Sequence, residues 1–151
     1  MSHSRSKGTA LITGASRGIG AVYADRLAKR GYDLILVARN EARLKELSAR
    51  LTKETGRSVT PLRADLSDKV DLAKVETTLR DDQTITMLVN NAGIGSVAPL
   101  LDADVEKMDD MIALNITALT HLIYAAARAS SAWTPRAALA RRGAAPTMGL
   151  G

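Results

Sequence analysis

The segment "TALITGASRGIG", Thr9 to Gly20, constrains this chain more than any other. A strand-like run, Thr9 to Thr13, is followed by a turn holding Gly14, Gly18 and Gly20 and by a helix that begins near Ile19. Gly14 allows the tight turn, Gly18 lets another group come close to the backbone, and Gly20 lets the helix close on the strand. The first N–H groups of a helix have no intrahelical partner and stand at the positive end of its dipole, so this turn is an anion site.

Apolar runs alternate with helical patterns over the first 127 residues, which predicts βαβ units around a parallel sheet. Four strands are expected: "TALIT", "LILVA" (Leu34 to Ala38), "SVTPLR" (Ser58 to Arg63) and "MLVNN" (Met87 to Asn91). Their nearly continuous apolar character fits strands covered on both faces. Pro61 makes the third the weakest. Helices are expected over Ile19 to Arg30, with Ile19, Val22, Tyr23 and Leu27 on the packed face, and over Glu41 to Thr55, with Leu44, Leu47 and Leu51 and an Asn40 cap. A third follows Asp68, over Lys69 to Arg80. A fourth opens at Asp102 or Asp104 and runs to about Ala127.

The glycine spacing is G-x-x-x-G-x-G, and with its context it resembles the short-chain dehydrogenase/reductase family from Thr9 to about Ala127. The resemblance implies a Rossmann-like doubly wound α/β sheet and a nicotinamide cofactor held by Gly14, Ser16, Arg17, Gly18, Ile19 and Gly20. In that family the end of the second strand selects the cofactor. An acid there binds a ribose 2′-hydroxyl, whereas an arginine attracts a 2′-phosphate. Here the strand ends "VARN": Ala38 stands where the acid would be and Arg39 follows, with Arg17 able to reach the same space, so NADP(H) is favoured over NAD(H). "ADLSD" (Ala64 to Asp68) resembles the adenine-binding segment. There Asp65 would accept from the adenine amino group, with Leu66 beside the ring and Asp68 left to cap the next helix. "NNAG" (Asn90 to Gly93) resembles the segment after the fourth strand, so Asn91, Ala92 and Gly93 join the cofactor residues.

Asn115 lies on the stripe of Met108, Met111, Ile112, Leu119 and Leu122, where a buried amide without partners costs about 1–3 kcal/mol. The family uses an Asn at this place to hold a water in a proton relay, so Asn115 is the one catalytic residue that the resemblance carries over. The family's reaction also needs a Ser and a Tyr-x-x-x-Lys. A free tyrosine has a pKa of about 10 and exchanges protons near neutrality only beside a cation. No Tyr-x-x-x-Lys occurs: Tyr23 is followed at that spacing by Leu27, Tyr32 by Leu36 and Tyr124 by Arg128. "YAAAR" lies within the fourth helix, with no Ser-bearing loop before it, and reads as surface or packing. His3 and His121 have no sequence partners that suggest a metal or a triad.

The net charge of +5 is uneven: residues 1–127 carry 17 Lys+Arg against 16 Asp+Glu, whereas 128–151 carry four arginines and no acid. The basicity therefore belongs to the end of the chain, and four arginines without an aromatic array beyond Trp133 make a weak nucleic-acid surface. Three parts are expected: a flexible 1–8, a cofactor-binding 9–128, and an irregular basic 129–151 in which Thr134, Pro135 and Gly143 could bracket a short helix. The Ala, Arg, Gly and Pro content of that last part fits out-of-frame reading of a GC-rich gene, so the family pattern is expected to be truncated and catalysis absent. Non-catalytic cofactor binding and a product without settled function are the alternatives. With no cysteine, no apolar leader and polar breaks in the longest apolar helix, a cytoplasmic, non-membrane protein is expected. Its partners would be the cofactor and a small carbonyl or alcohol substrate, and it could self-associate through residues 104–127.

Overall fold

A computed structural model of the chain describes residues 5–95 and 98–133, the last three as backbone only. Readings that fall on residues 1–4 and 134–151, including the short terminal helix, lie outside the described residues. Four strands, β1 (Thr9–Thr13), β2 (Asp33–Ala38), β3 (Val59–Arg63) and β4 (Ile85–Val89), form one parallel sheet in the order β3-β2-β1-β4. Helices α1 (Gly18–Lys29), α2 (Glu41–Thr55) and α3 (Lys69–Asp81) connect them, and α4 (Val105–Ile112), a π segment (Ala113–Ala118) and α5 (Leu119–Trp133) follow.

Alternation along the central strands decides which helix packs where, because successive side chains point to opposite faces. Ala10 and Ile12 of β1 join Leu34 and Leu36 of β2 beneath α1 and α2, packed on Leu27, Leu44, Leu47 and Leu51. Leu11, Ile35 and Val37 face the other way, onto Leu72, Val75 and Leu79 of α3 and Ala118 and Leu122 of the long helix. The sheet is thus wound on both faces. Pro61 is accommodated because β3 is an edge strand, where a missing N–H leaves no ladder bond unmade on the open side.

Two expectations are corrected. The packed face of α1 is Gly20, Ala24, Leu27 and Ala28, while Ile19, Val22 and Tyr23 are exposed. Small residues let this helix lie close on the sheet, so its large apolar residues are not its buried ones. The fourth helix continues to Trp133 rather than about Ala127, and the π segment interrupts it at Asn115. By length and composition alone, the run Val105–Ser130 is apolar enough to span a bilayer. Its Ala118 and Leu122 are packed into the second core cluster.

Candidate functional site

The strand order reverses between β1 and β4: the chain moves outward from β1 through β2 to β3, then crosses back to β4 on the other side. Ligands of open α/β sheets bind at such a switch point, beyond the carboxyl ends of the strands. A cleft of about 760 Å³ opens there, floored by the turns that follow all four strands.

Its centre is the glycine turn. Gly14 has φ +64°, and a Cβ there would lie 2.9 Å from the Ala92 Cα. Gly20 has ordinary backbone angles, but a side chain on it would run into the Gly14 carbonyl and the Asn91 amide, so α1 packs against the turn because residue 20 has none. Asn40, Asp68 and Asp104 cap α2, α3 and α4 through their side chains, whereas α1 starts at Arg17 with no side-chain cap and no acid in its first turn. The unpartnered N–H groups of α1 therefore open on the cleft, as an anion site requires.

Thr13, at the end of β1, joins this turn to the segment after β4. Its hydroxyl accepts from the N–H groups of Asn91 and Ala92, both at 3.0 Å, and the Asn91 Nδ2 donates to the Gly14 carbonyl at 3.2 Å. The two glycine-bearing segments are thus one hydrogen-bonded unit. Thr13 was not singled out from sequence, since a threonine inside a strand carries no motif of its own.

On the flank formed by β2 and α2, Arg39 and Arg17 line the cleft, joined by Arg43 from the first turn of α2. The acid nearest in sequence, Glu41, is bonded to Lys45 at 2.7 Å, and this hydrogen bond and charge hold its carboxyl below the ordinary range. On the next flank, Asp65 and Leu66 line the cleft. Asp65 Oδ1 accepts from the Ser67 N–H, and Asp68 is the α3 cap, accepting from Val70 and Asp71. Leu66 is buried in the core cluster below.

Asp71 fixes this second flank. Its carboxylate accepts the Asp65 N–H at 2.8 Å and pairs with Lys74 and Arg63, both at 3.0 Å. The Asp65 hydrogen bond, then Lys74 and Arg63, hold the Asp71 carboxyl below its ordinary range against the opposing effect of burial. A sequence signal existed only in outline, as an acid three residues into a helix already capped by another.

Asn115 lies at the far rim, on the π segment. Both its polar atoms are used on Ile94: Nδ2 donates to the Ile94 carbonyl at 2.7 Å and Oδ1 accepts from the Ile94 N–H at 3.0 Å. The amide thus ties the segment after β4 to the long helix. Of the thirteen residues named from sequence, all but Gly20 and Asn115 line the cleft itself, and those two stand directly behind it. Tyr124 and Arg128 lie away from it, with the guanidinium 5.9 Å from the ring centroid. His121 is bonded to Glu76 of α3 at 3.0 Å. Among the described residues no cluster of metal-ligating side chains occurs.

The family model for short chain dehydrogenases matches residues 8–133. An uncharacterized oxidoreductase of Staphylococcus saprophyticus is 35% identical over 117 residues, covering 77% of this chain and 50% of its own length. Among solved structures, the bulky-bulky ketone specific alcohol dehydrogenase from Comamonas testosteroni superposes with a TM-score of 0.80 at 45% identity, covering 82% of this chain and 50% of the other. A short-chain dehydrogenase from Sphingobium yanoikuyae in complex with NADPH gives 0.79 at 50% identity, over 80% and 48%. The chain spans about half the length of the relatives it matches. The uncapped helix over a glycine turn, set at the switch point of a parallel sheet and matched along nearly all the described residues, places this chain in the short-chain dehydrogenase family.

Proposed function

We propose that the chain binds NADP(H) in preference to NAD(H), and that its ancestry is in hydride transfer between that cofactor and a carbonyl or alcohol. The observation that carries the preference is the pairing of Arg17 and Arg39 in a cleft where Ala38 stands in place of a ribose-binding acid. The donor set fits the group: the uncapped α1 and its glycine turn would hold the pyrophosphate, Arg17 and Arg39 the 2′-phosphate, Asp65 the adenine, and the Asn91–Gly93 segment the nicotinamide side. When bound, the nicotinamide supplies or accepts the hydride. Structures of relatives in complex with NADPH support the same choice.

The residues of this chain bind and orient but do not supply the proton. No Tyr-x-x-x-Lys occurs in the 151 residues, so we expect cofactor binding without turnover, as a non-catalytic module. Asn115 acts here as a positioning residue: its amide makes one donor and one acceptor bond to Ile94 and keeps one of each for a water.

Calorimetric titration of the 151-residue protein with NADPH and NADH, run beside an assay of NADPH oxidation with aldehydes and ketones, tests both parts. Tighter binding of NADPH with no oxidation is expected. Equal affinities would remove the preference, and measurable oxidation would remove the non-catalytic reading.

A further inference from the structure

Arg43 shares the cleft with Arg17 and Arg39, although it follows Arg39 by a full helical turn. Its place is set by the backbone: the Arg43 N–H donates to the Asn40 Oδ1 at 3.0 Å, which locks the first turn of α2 onto the end of β2. Its side chain is exposed and, among the described residues, no carboxylate lies within ion-pair distance of Arg17, Arg39 or Arg43. The acids around them are engaged elsewhere: Glu41 with Lys45, Asp71 with Arg63, Lys74 and the Asp65 N–H, and Asp65, on another flank of the cleft, with the Ser67 N–H. Three arginines therefore line one cleft with no carboxylate paired to any of them, against the single acid Asp65 on another flank, an excess of positive charge that a dianion would relieve and a neutral hydroxyl would not.

The two anion positions in the cleft are separate. The uncapped N-terminus of α1 follows β1, whereas Arg39 and Arg43 belong to the β2–α2 junction. We infer that Arg43 is a specificity-determining residue for the cofactor's 2′-phosphate, completing with Arg17 and Arg39 a three-arginine site; this rests on the NADP(H) reading above. A planar guanidinium can offer two parallel N–H donors to a phosphate, which an ammonium cannot, so the residue's identity matters as well as its charge.

The test is calorimetric titration of the whole chain and its Arg43→Ala and Arg43→Lys variants with NADPH and with NADH. The Asn40–Arg43 contact uses the backbone N–H, so both variants should keep the wild-type melting temperature. Arg43→Ala should weaken NADPH binding about tenfold or more, the ordinary worth of a lost charge-assisted hydrogen bond, and leave NADH binding unchanged. Arg43→Lys should recover part of the loss. If Arg43→Ala weakens both cofactors equally, or neither, Arg43 is not a 2′-phosphate residue, while wild-type preference for NADPH would leave the broader reading standing. Wild-type protein without that preference would overturn the NADP(H) reading and this inference with it.

Discussion

The carboxamide of Asn115 satisfies both backbone groups of Ile94, donating to its carbonyl at 2.7 Å and accepting from its N–H at 3.0 Å. The segment after β4 is thereby fastened to the long helix at the point where the π turn occurs. Asn115→Leu keeps the branched shape and removes both bonds, so it should destabilise the fold by about 1–3 kcal/mol. Hydrogen exchange gives the sharper reading: protection of the Ile94 amide should fall while that of the β1 amides is kept. Unchanged protection at Ile94 would show that the pair does not hold the segment.

The three glycines of the turn should separate by mechanism when each is changed to alanine. At Gly20 the backbone is ordinary and the obstacle is the Gly14 carbonyl, so the cost is overpacking, about 1–3 kcal/mol. At Gly14 a positive φ, itself costing about 1–2 kcal/mol, is added to collision with the Ala92 backbone, and the loss should be the largest of the three. Gly18 has φ +58° with open space around it, so its variant should lose the least stability and yet lose cofactor binding. Urea unfolding and NADPH titration of the three variants read the two orders separately.

The fold was legible where one residue type reports its own environment. The leucines of α2, the caps Asn40, Asp68 and Asp104, and the glycine turn all fall where their chemistry directs them. The packed face of α1 was not, because close helix–sheet contact is made by Gly20, Ala24 and Ala28, which carry little hydrophobic signal, while Ile19 and Val22 remain outside. The π segment has no Pro or Gly to announce it. At the site, residues in recognised motifs came together in one cleft. Those acting through distant partners stayed hidden: Thr13 meets Asn91 and Ala92 only in the folded chain, and Asp71 meets the Asp65 N–H across the loop between β3 and α3.

Asp71 also sets a pH dependence. Its carboxyl is held below the ordinary range when folded, so its stabilising effect is present in full above the unfolded value of about 3.9 and is lost as pH falls through the lower folded value. Asp71→Asn should therefore be less stable than wild type at neutral pH, with the gap closing below about pH 4. The same variant loosens the Asp65 backbone and should weaken NADPH binding. Urea midpoints of the two proteins across pH 3 to 7 decide it, and a constant gap would count against the assignment.

Tyr124 provides a control on catalysis. The Arg128 guanidinium lies over its ring on the exposed side of α5, away from the cleft, although "YAAAR" comes nearest to the family's Tyr-x-x-x-Lys. Tyr124→Phe should leave NADPH affinity unchanged, and any oxidation of NADPH seen in the wild type should survive it. Loss of such oxidation in the variant would bring Tyr124 back as a proton donor.

The long helix leaves an apolar stripe in solvent: Val105, Ile112, Ile116, Leu119 and Ile123 recur at helical spacing and are all exposed. A neighbouring side of the same helix is the one packed into the core, through Ala118 and Leu122. β4 is likewise bonded to β1 on one edge only among the described residues. Both features favour contact with another polypeptide, since exposed apolar stripes and open strand edges are ordinarily covered. The 151-residue protein should therefore self-associate with rising concentration. Ile116→Lys together with Ile123→Lys should shift sedimentation toward the monomer without lowering the melting temperature, because neither side chain is in the core. A wild-type protein that sediments as a monomer at every concentration would show that the stripe is not an association surface.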